Sequence, residues 1–242
     1  MIARTAAVVE PGGVLGSVMS APPLTLRQVH SEVRDRCELR LVGTAAGPLA
    51  GDDLSLWLGL RPGARAVLWA TGASLAQGRD GRGVAALSFR ADLAAGASLV
   101  ADPGALVVCR GSRVDVRLEL ALGAGAAVEW RELVVLGRTG EPAGLATLRW
   151  DVTRLGRPVL RQFTDLSQPA LTRLLTAGRR VLACALLHDP VRTARTVVAS
   201  PAAVAQRVDE HTALVTVLAD DAASATRQVD DLRARGWLAA SS

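Results

Sequence analysis

The chain predicts a mainly β fold, a layered or solenoid-like β scaffold with a few helices added toward its C-terminus. Three observations carry this. Apolar residues alternate with others at period two, as in Leu54, Leu56, Leu58 and Leu60 and again in Val114, Val116, Leu118, Leu120 and Leu122. A corner motif, L-x-x-G-A-x-apolar, recurs at residues 60–66 (LRPGARA), 93–99 (LAAGASL) and 122–128 (LGAGAAV), its glycines 33 and 29 residues apart. Each copy lies between two strand-like runs, so the unit is strand, corner, strand, stacked on itself. Third, the period lengthens to that of a helix only after about residue 165. One domain over residues 1–242 is expected, with a β core at 24–165 and helices plus one strand at 166–242.

Taken in order, residues 1–23 read as an irregular or short-strand lead-in ending in Pro22-Pro23. Residues 24–29 (LTLRQV) and 36–42 are short strands, and the Gly/Ala/Pro loop at 43–51 delivers Asp52 and Asp53 to the start of the next strand. Neighbouring residues on a strand face opposite sides, so these two acids cannot hold one ion as a pair from a regular strand. Residues 128–136 place Glu132 in line with Val128, Trp130, Val134 and Leu136, which aims a carboxylate inward. That strand closes on Gly137-Arg138-Thr139-Gly140-Glu141, where glycine freedom and opposite charges meet. Residues 148–152 form a further strand and 161–164 a short piece. Ser167 then caps a helix with Pro169 in its first turn, striped by Leu171, Leu174, Leu175, Gly178, Val181, Leu182 and Ala185, and expected to reach about Leu187. Its other face carries Arg173 and Arg180, with Cys184 and His188 one turn apart at the edge. Ser200-Pro201 starts a short helix, 212–218 a strand, and 222–235 a helix striped by Ala222, Ala225, Val229 and Leu232.

Composition narrows the function classes. Half of the 242 residues are apolar, enough for a sizeable core. The formal charge is +5, yet all 28 basic residues are arginine and tyrosine is absent, a bias of coding rather than a basic patch. With two Phe and five Trp, and no basic run interleaved with aromatics, a nucleic-acid partner is not expected. Cys37, Cys109 and Cys184 are far apart and odd in number, which points away from a disulfide framework and to a reducing compartment. The early apolar stretch is cut by Glu10-Pro11-Gly12-Gly13 before signal-peptide or membrane length, so the expected setting is cytoplasmic, without a membrane partner.

The chemistry of a common enzyme is missing. No lysine exists for a phosphate-binding loop, no G-x-S-x-G elbow is present, and the His and Cys residues form neither H-x-x-x-H nor C-x-x-C. Glu132, Glu141, Asp102 and Asp151 are the acids whose convergence would be needed for carboxylate chemistry, about 5–10 Å apart for a glycosidase. The pattern favours a binding or assembly protein over an enzyme.

In succession, several segments resemble the urease accessory protein UreD family, also called UreH. They are Gly47-Pro48-Leu49-Ala50-Gly51-Asp52-Asp53-Leu54, the corner Pro62-Gly63-Ala64, residues 99–103, and Trp130-Arg131-Glu132 followed by Leu136-Gly137-Arg138 and Gly140-Glu141. The strand at 212–218 with its following helix extends the likeness. The resemblance implies a β scaffold that binds UreF, which holds the nickel-carrying GTPase UreG, and docks on apo-urease. It implies no tightly bound cofactor but transient nickel(II), passed through an internal channel. A channel holds an ion weakly at several points, which suits carboxylates and water. Glu132, Glu141, Asp52 and Asp53 are the candidate acids of such a path. Arg138, Arg173, Arg180, Cys184 and His188 are the candidate partner contacts. Two other readings stay open: a β-solenoid hydrolase using converging carboxylates, and a metal-independent adaptor whose Arg173 and Arg180 face meets an acidic partner.

Overall fold

A computed structural model describes residues 1–78 and 83–237. The chain forms eighteen strands and two α-helices among these residues: β1 (Ile2–Glu10), β2 (Val14–Met19), β3 (Leu24–Val29), β4 (Cys37–Gly43), β5 (Asp53–Leu60), β6 (Arg65–Ala70), β7 (Ser74–Ala76), β8 (Ala85–Leu93) and β9 (Ser98–Asp102) in the first part. Then come β10 (Ala105–Val108), β11 (Arg113–Leu122), β12 (Ala127–Leu136), β13 (Leu145–Arg154), β14 (Arg157–Leu166), α1 (Pro169–Leu175), β15 (Val181–His188), β16 (Val197–Ser200), β17 (Ala203–Asp209), β18 (Thr212–Ala219) and α2 (Ala222–Arg235).

Two sheets face each other. The first runs β14-β13-β11-β8-β5-β1-β2, and the second β16-β17-β18-β15-β12-β9-β6-β4-β3 with β10 and β7 attached. β5, β8, β11 and β13 are parallel neighbours in the first sheet, and β4, β6, β9 and β12 are parallel neighbours in the second. Successive coils therefore climb a solenoid, each passing from one sheet to the other at a corner, and the expected mainly β, solenoid-like scaffold is what the chain adopts.

The recurring motif is that corner. In the first copy the Ala64 amide donates to the Arg61 carbonyl (2.9 Å), and the second and third copies repeat the bond from Ala97 to Ala94 and from Ala126 to Gly123. Each motif glycine holds a positive φ (71°, 65° and 65° at Gly63, Gly96 and Gly125), which a side chain would strain. The corners stack through Gly63 N–H to Ala95 O (2.9 Å) and Gly96 N–H to Ala124 O (2.8 Å). The alanine after each glycine is fully buried. Glycine sets the turn and alanine fits the tight inner bend.

Between the sheets, alternate residues of β5, β8, β11 and β13, and Val128, Trp130, Val134 and Leu136 of β12, are buried in one continuous apolar core. Each leucine so buried contributes roughly 1.5–3 kcal/mol relative to exposure. A second core lies on the far side of the second sheet, where α2 packs on β15, β17 and β18 through Ala225, Val229 and Leu232. α2 begins at Asp221, whose carboxylate accepts the Ser224 amide (2.7 Å) as an N-cap.

The C-terminal third departs from its expected form. The helix foreseen through Leu187 ends at Leu175, its N-cap is Gln168 rather than Ser167, and Val181–His188 is strand β15, buried along its entire length. The reason is a layer on each side: Leu182, Cys184 and Leu186 face the core between the sheets while Val181, Ala183, Ala185 and Leu187 face α2. A strand covered on both faces is apolar throughout and shows no period of two. Ser200-Pro201 starts a turn into β17 rather than a helix, and residues 2–10 and 14–19 are regular strands, so the sheets extend past both ends of the 24–165 core. Residues 24–29, 37–43, 212–219 and 222–235 take the expected forms.

Candidate functional site

Strand β12 is the junction of the scaffold. On one edge its residues 127–130 pair with β9 and its residues 133–136 with β10, so the ladder lapses at Arg131 and Glu132, beside the bend at Asp102-Pro103-Gly104. Its other edge pairs continuously with β15, where Glu132 lies opposite Cys184. Cys184 in turn lies opposite Thr216 of β18.

Parity holds along β12: Val128, Trp130, Val134 and Leu136 all enter the core between the sheets, and Glu132 enters with them. The Trp150 indole N–H, from β13 of the opposite sheet, donates to Glu132 Oε2. Oε1 is sealed from solvent and has no hydrogen-bond partner, although the residue as a whole is only half-buried. Burial raises the carboxyl pKa from its ordinary 4.5 to about 7, against the opposing pull of the Trp150 bond. Burial and then the Glu132 charge push the Cys184 thiol up to about 12, with Thr216 hydrogen bonding acting the other way. An acid is thus held in an apolar layer with one donor and no cation.

The opposite face of the same strand is compensated. Glu129 Oε1 accepts from Arg131 (2.8 Å), Arg131 also reaches Asp230 of α2 (2.8 Å), and Arg233 of α2 donates to Glu129 Oε2. This ion network clamps α2 to the second sheet. It borders a cleft lined by Glu129, His188, Asp189, Arg192, Arg233 and Trp237, with the Arg192 guanidinium 5.0 Å from the Trp237 ring centroid.

The other candidate acids do not join Glu132. Asp52 Oδ2 accepts the Leu49 amide (2.8 Å) and its Oδ1 the Met1 amino group (2.8 Å), which shapes the turn before β5. Asp53 pairs with Arg4. Glu141 closes its turn on Arg138, taking the side chain (3.0 Å) and the backbone amide (2.9 Å), and these bonds bring its pKa down to about 2. Asp102 accepts the Gly104 amide, and Asp151 faces outward to Arg149 and Arg161. Among the described residues no group of three or more His, Cys, Asp and Glu is placed to hold a metal, and no second acid converges with Glu132.

The candidate partner residues divide. Arg173 is exposed on α1. Arg180 precedes β15, not on a helix face, and donates to the Gly137 (3.1 Å) and Arg138 carbonyls, fixing the turn at the end of β12. Cys184 and His188 were expected at an accessible helix edge and are instead 6% and 3% exposed on a strand, because β15 replaces the helix. His188 Nδ1 shares a hydrogen bond with Thr212 (2.9 Å), and burial, then Arg154, hold its pKa below the usual imidazole range.

Two residues of the Glu132 environment escaped the sequence reading. Trp150 was seen only as an alternating strand residue, and its indole is the carboxylate's donor. Gln162, opposite Trp150 on β14, carries a second sealed oxygen without a partner. A polar residue at an inward strand position was the available signal in both strands, and it had been weighed only at Glu132.

Comparison with known proteins bears on this arrangement. The family model described as UreD urease accessory protein matches residues 7–241. The chain is 41% identical over 140 residues to urease accessory protein UreD 1 of Streptomyces griseus, a match covering 58% of this chain and 54%, about half, of that protein. It is 36% identical over 191 residues to urease accessory protein UreD 1 of Saccharopolyspora erythraea (75% and 74% covered). It is 34% identical over 221 residues to urease accessory protein UreD of a Parafrankia species (80% and 74% covered). With this match over residues 7–241 and with such relatives, the chain belongs to the UreD family of urease accessory proteins.

Proposed function

We propose that the chain serves urease maturation as a non-catalytic scaffold that binds UreF, and UreG through it, docks on apo-urease, and gives nickel(II) a route between its two sheets. The single observation behind the route is Glu132, an enclosed carboxyl with one oxygen unpartnered where the β12 ladder lapses. A lone carboxylate among apolar walls attracts a divalent ion without caging it, as handing the ion onward requires. A carboxylate-dependent hydrolase has no support, since Glu141, Asp102 and Asp151 are each engaged elsewhere.

The test is Glu132→Gln expressed with the urease subunits and the other accessory proteins. Nickel content and activity of the purified urease are expected to fall about tenfold or more, with co-purification of UreF and apo-urease retained. Full activation with this variant removes the route. A metal-independent adaptor is the second reading, favoured by α1, where Leu174 is 76% exposed next to Arg173. Under it, Leu174→Asp abolishes co-purification while Glu132→Gln changes nothing.

A further inference from the structure

Apart from the spur of β7 and β10, the two sheets end in the edge strands β14, β2, β16 and β3, and three of these are guarded. β14 carries Arg157, Pro158 and Arg161 and is followed by α1, which packs on it. β16 is only four residues long. β3 has its Leu26 amide taken by Ser20 Oγ (3.0 Å), and its Gln28 Nε2 donates to the Gly13 carbonyl (3.3 Å). Charges, prolines, shortness and cover are the means by which folds keep strand edges from pairing with other chains. β2 has almost none of them. Val14–Met19 contains no charged, aromatic or proline residue, and among the described residues its backbone bonds only to β1. Its one guard is a bulge at Gly16, beyond which Ser17–Met19 run in regular register with Ala6–Val8. Val14, Val18 and Met19 are 53%, 49% and 56% exposed. Val18 lies opposite the buried Ala7, so the face of the sheet that is covered at β1 is left open at β2.

We propose that a second copy of this chain docks on β2, the two β2 strands lying antiparallel across a two-fold axis so that the first sheet runs on from one copy into the other. Charge selects the occupant. The strand that fits is extended, apolar and uncharged with a free edge of its own, and β2 is itself such a strand. Like charges directly opposite would destabilise the pairing, and β2 brings none together. The nearest charges on β1 are already paired, Glu10 with Arg61 (3.6 Å) and Arg4 with Asp53. A foreign strand, by contrast, finds on β2 no charged or aromatic side chain by which to be told from others. Main-chain hydrogen bonds supply the attraction, and the two-fold lets one patch meet itself. The contact is no more than two short strands, so the pair is weak and reversible. It is independent of any nickel route and of the partners proposed above.

The experiment is sedimentation equilibrium of the full chain across about 1–300 µM, the range in which a small contact shows. The mass is expected to rise with concentration from one chain toward two and to stop there, because a two-fold contact closes on itself. Val18→Lys sets like charges across the axis and is expected to raise the dissociation constant about tenfold or more. Ser17→Cys gives an independent reading if Val18→Lys does not fold. Cys37, Cys109 and Cys184 are buried, so a short bis-maleimide is expected to link two chains of Ser17→Cys and none of the wild type. A wild type that stays a single chain at every concentration overturns the proposal, and so does a dimer that Val18→Lys leaves unchanged. Masses that climb past two chains overturn it as well, since they report open-ended aggregation. A single chain whose Val18→Lys variant no longer co-purifies with UreF or urease gives the edge to a foreign strand and sinks the second copy.

Discussion

Glu129 and Glu132 lie three residues apart on one strand under opposite regimes. Glu129 faces α2 and is neutralised by Arg131 and Arg233, with both oxygens engaged. Glu132 faces the other sheet and has one indole and an unpartnered oxygen. Burying a charge is tolerable where it is paired and hydrogen-bonded, and otherwise costs stability. The first glutamate is therefore architecture. The second is a standing liability of the fold, an enclosed acid with one donor and no cation beside it.

The contrast can be broken from either side. The largest effect is expected from Arg131→Ala, which strips a cation from a mostly buried pair and lowers unfolding free energy by about 3 kcal/mol, read from urea denaturation. Glu132→Gln should do the reverse, and only in one pH window. The folded-state pKa of Glu132 is raised from 4.5 to about 7, so the native state holds a proton that the unfolded chain has lost between those values. Stability tied to that proton is full below about pH 4.5 and is lost as pH rises through about 7. The Gln variant should match the wild type near about pH 4 and exceed it by about 3 kcal/mol near about pH 8. Equal curves at both pH values would place the carboxyl in water. Next, Asp221→Ala removes the N-cap of the helix that carries Arg233 and should lower stability by about 1 kcal/mol, with Asp221→Asn recovering most of it. Smallest is Arg138→Ala: the pair with Glu141 is solvent-exposed, and the denaturation midpoint should not move measurably.

The legible parts of the sequence were those with one buried face. The corners announced themselves because a positive φ wants glycine and a tight inner bend wants alanine, and the parity of β12 could be read because polar residues interrupt it. β15 could not be read that way. VLACALLH carries no polar residue until its last position, and a strand between two layers has the same hydropathy as a buried helix. The stripe through Gly178 and Val181 was a coincidence of an alanine- and leucine-rich chain. That error moved Cys184 from the interior to a surface, which hid its place opposite Glu132. The Trp150–Glu132 contact was out of reach for another reason: it joins residues 18 apart on opposite sheets, and which side chains meet across the interior is set by the whole solenoid, not by local sequence. Asp52 and Glu141 were candidate acids of the path, and what local sequence did not show was how fully their oxygens are engaged in turns.

The double-sided burial of β15 also governs the order of assembly. β12 emerges with one edge paired to β9 and β10 and the other bare, and its remaining partner lies some 45 residues downstream, a non-local pairing that forms slowly. The other edge of β15 is taken by β18, and its far face is covered by α2. The Glu132 carboxyl is closed off by Trp150 of the opposite sheet and by the pairing of β15 with β12, whereas α2 covers only the far face of the second sheet. Whatever loosens α2 therefore bares Val181, Ala183, Ala185 and Leu187 on the far face of β15 and leaves the core between the sheets, with its stacked corners, closed.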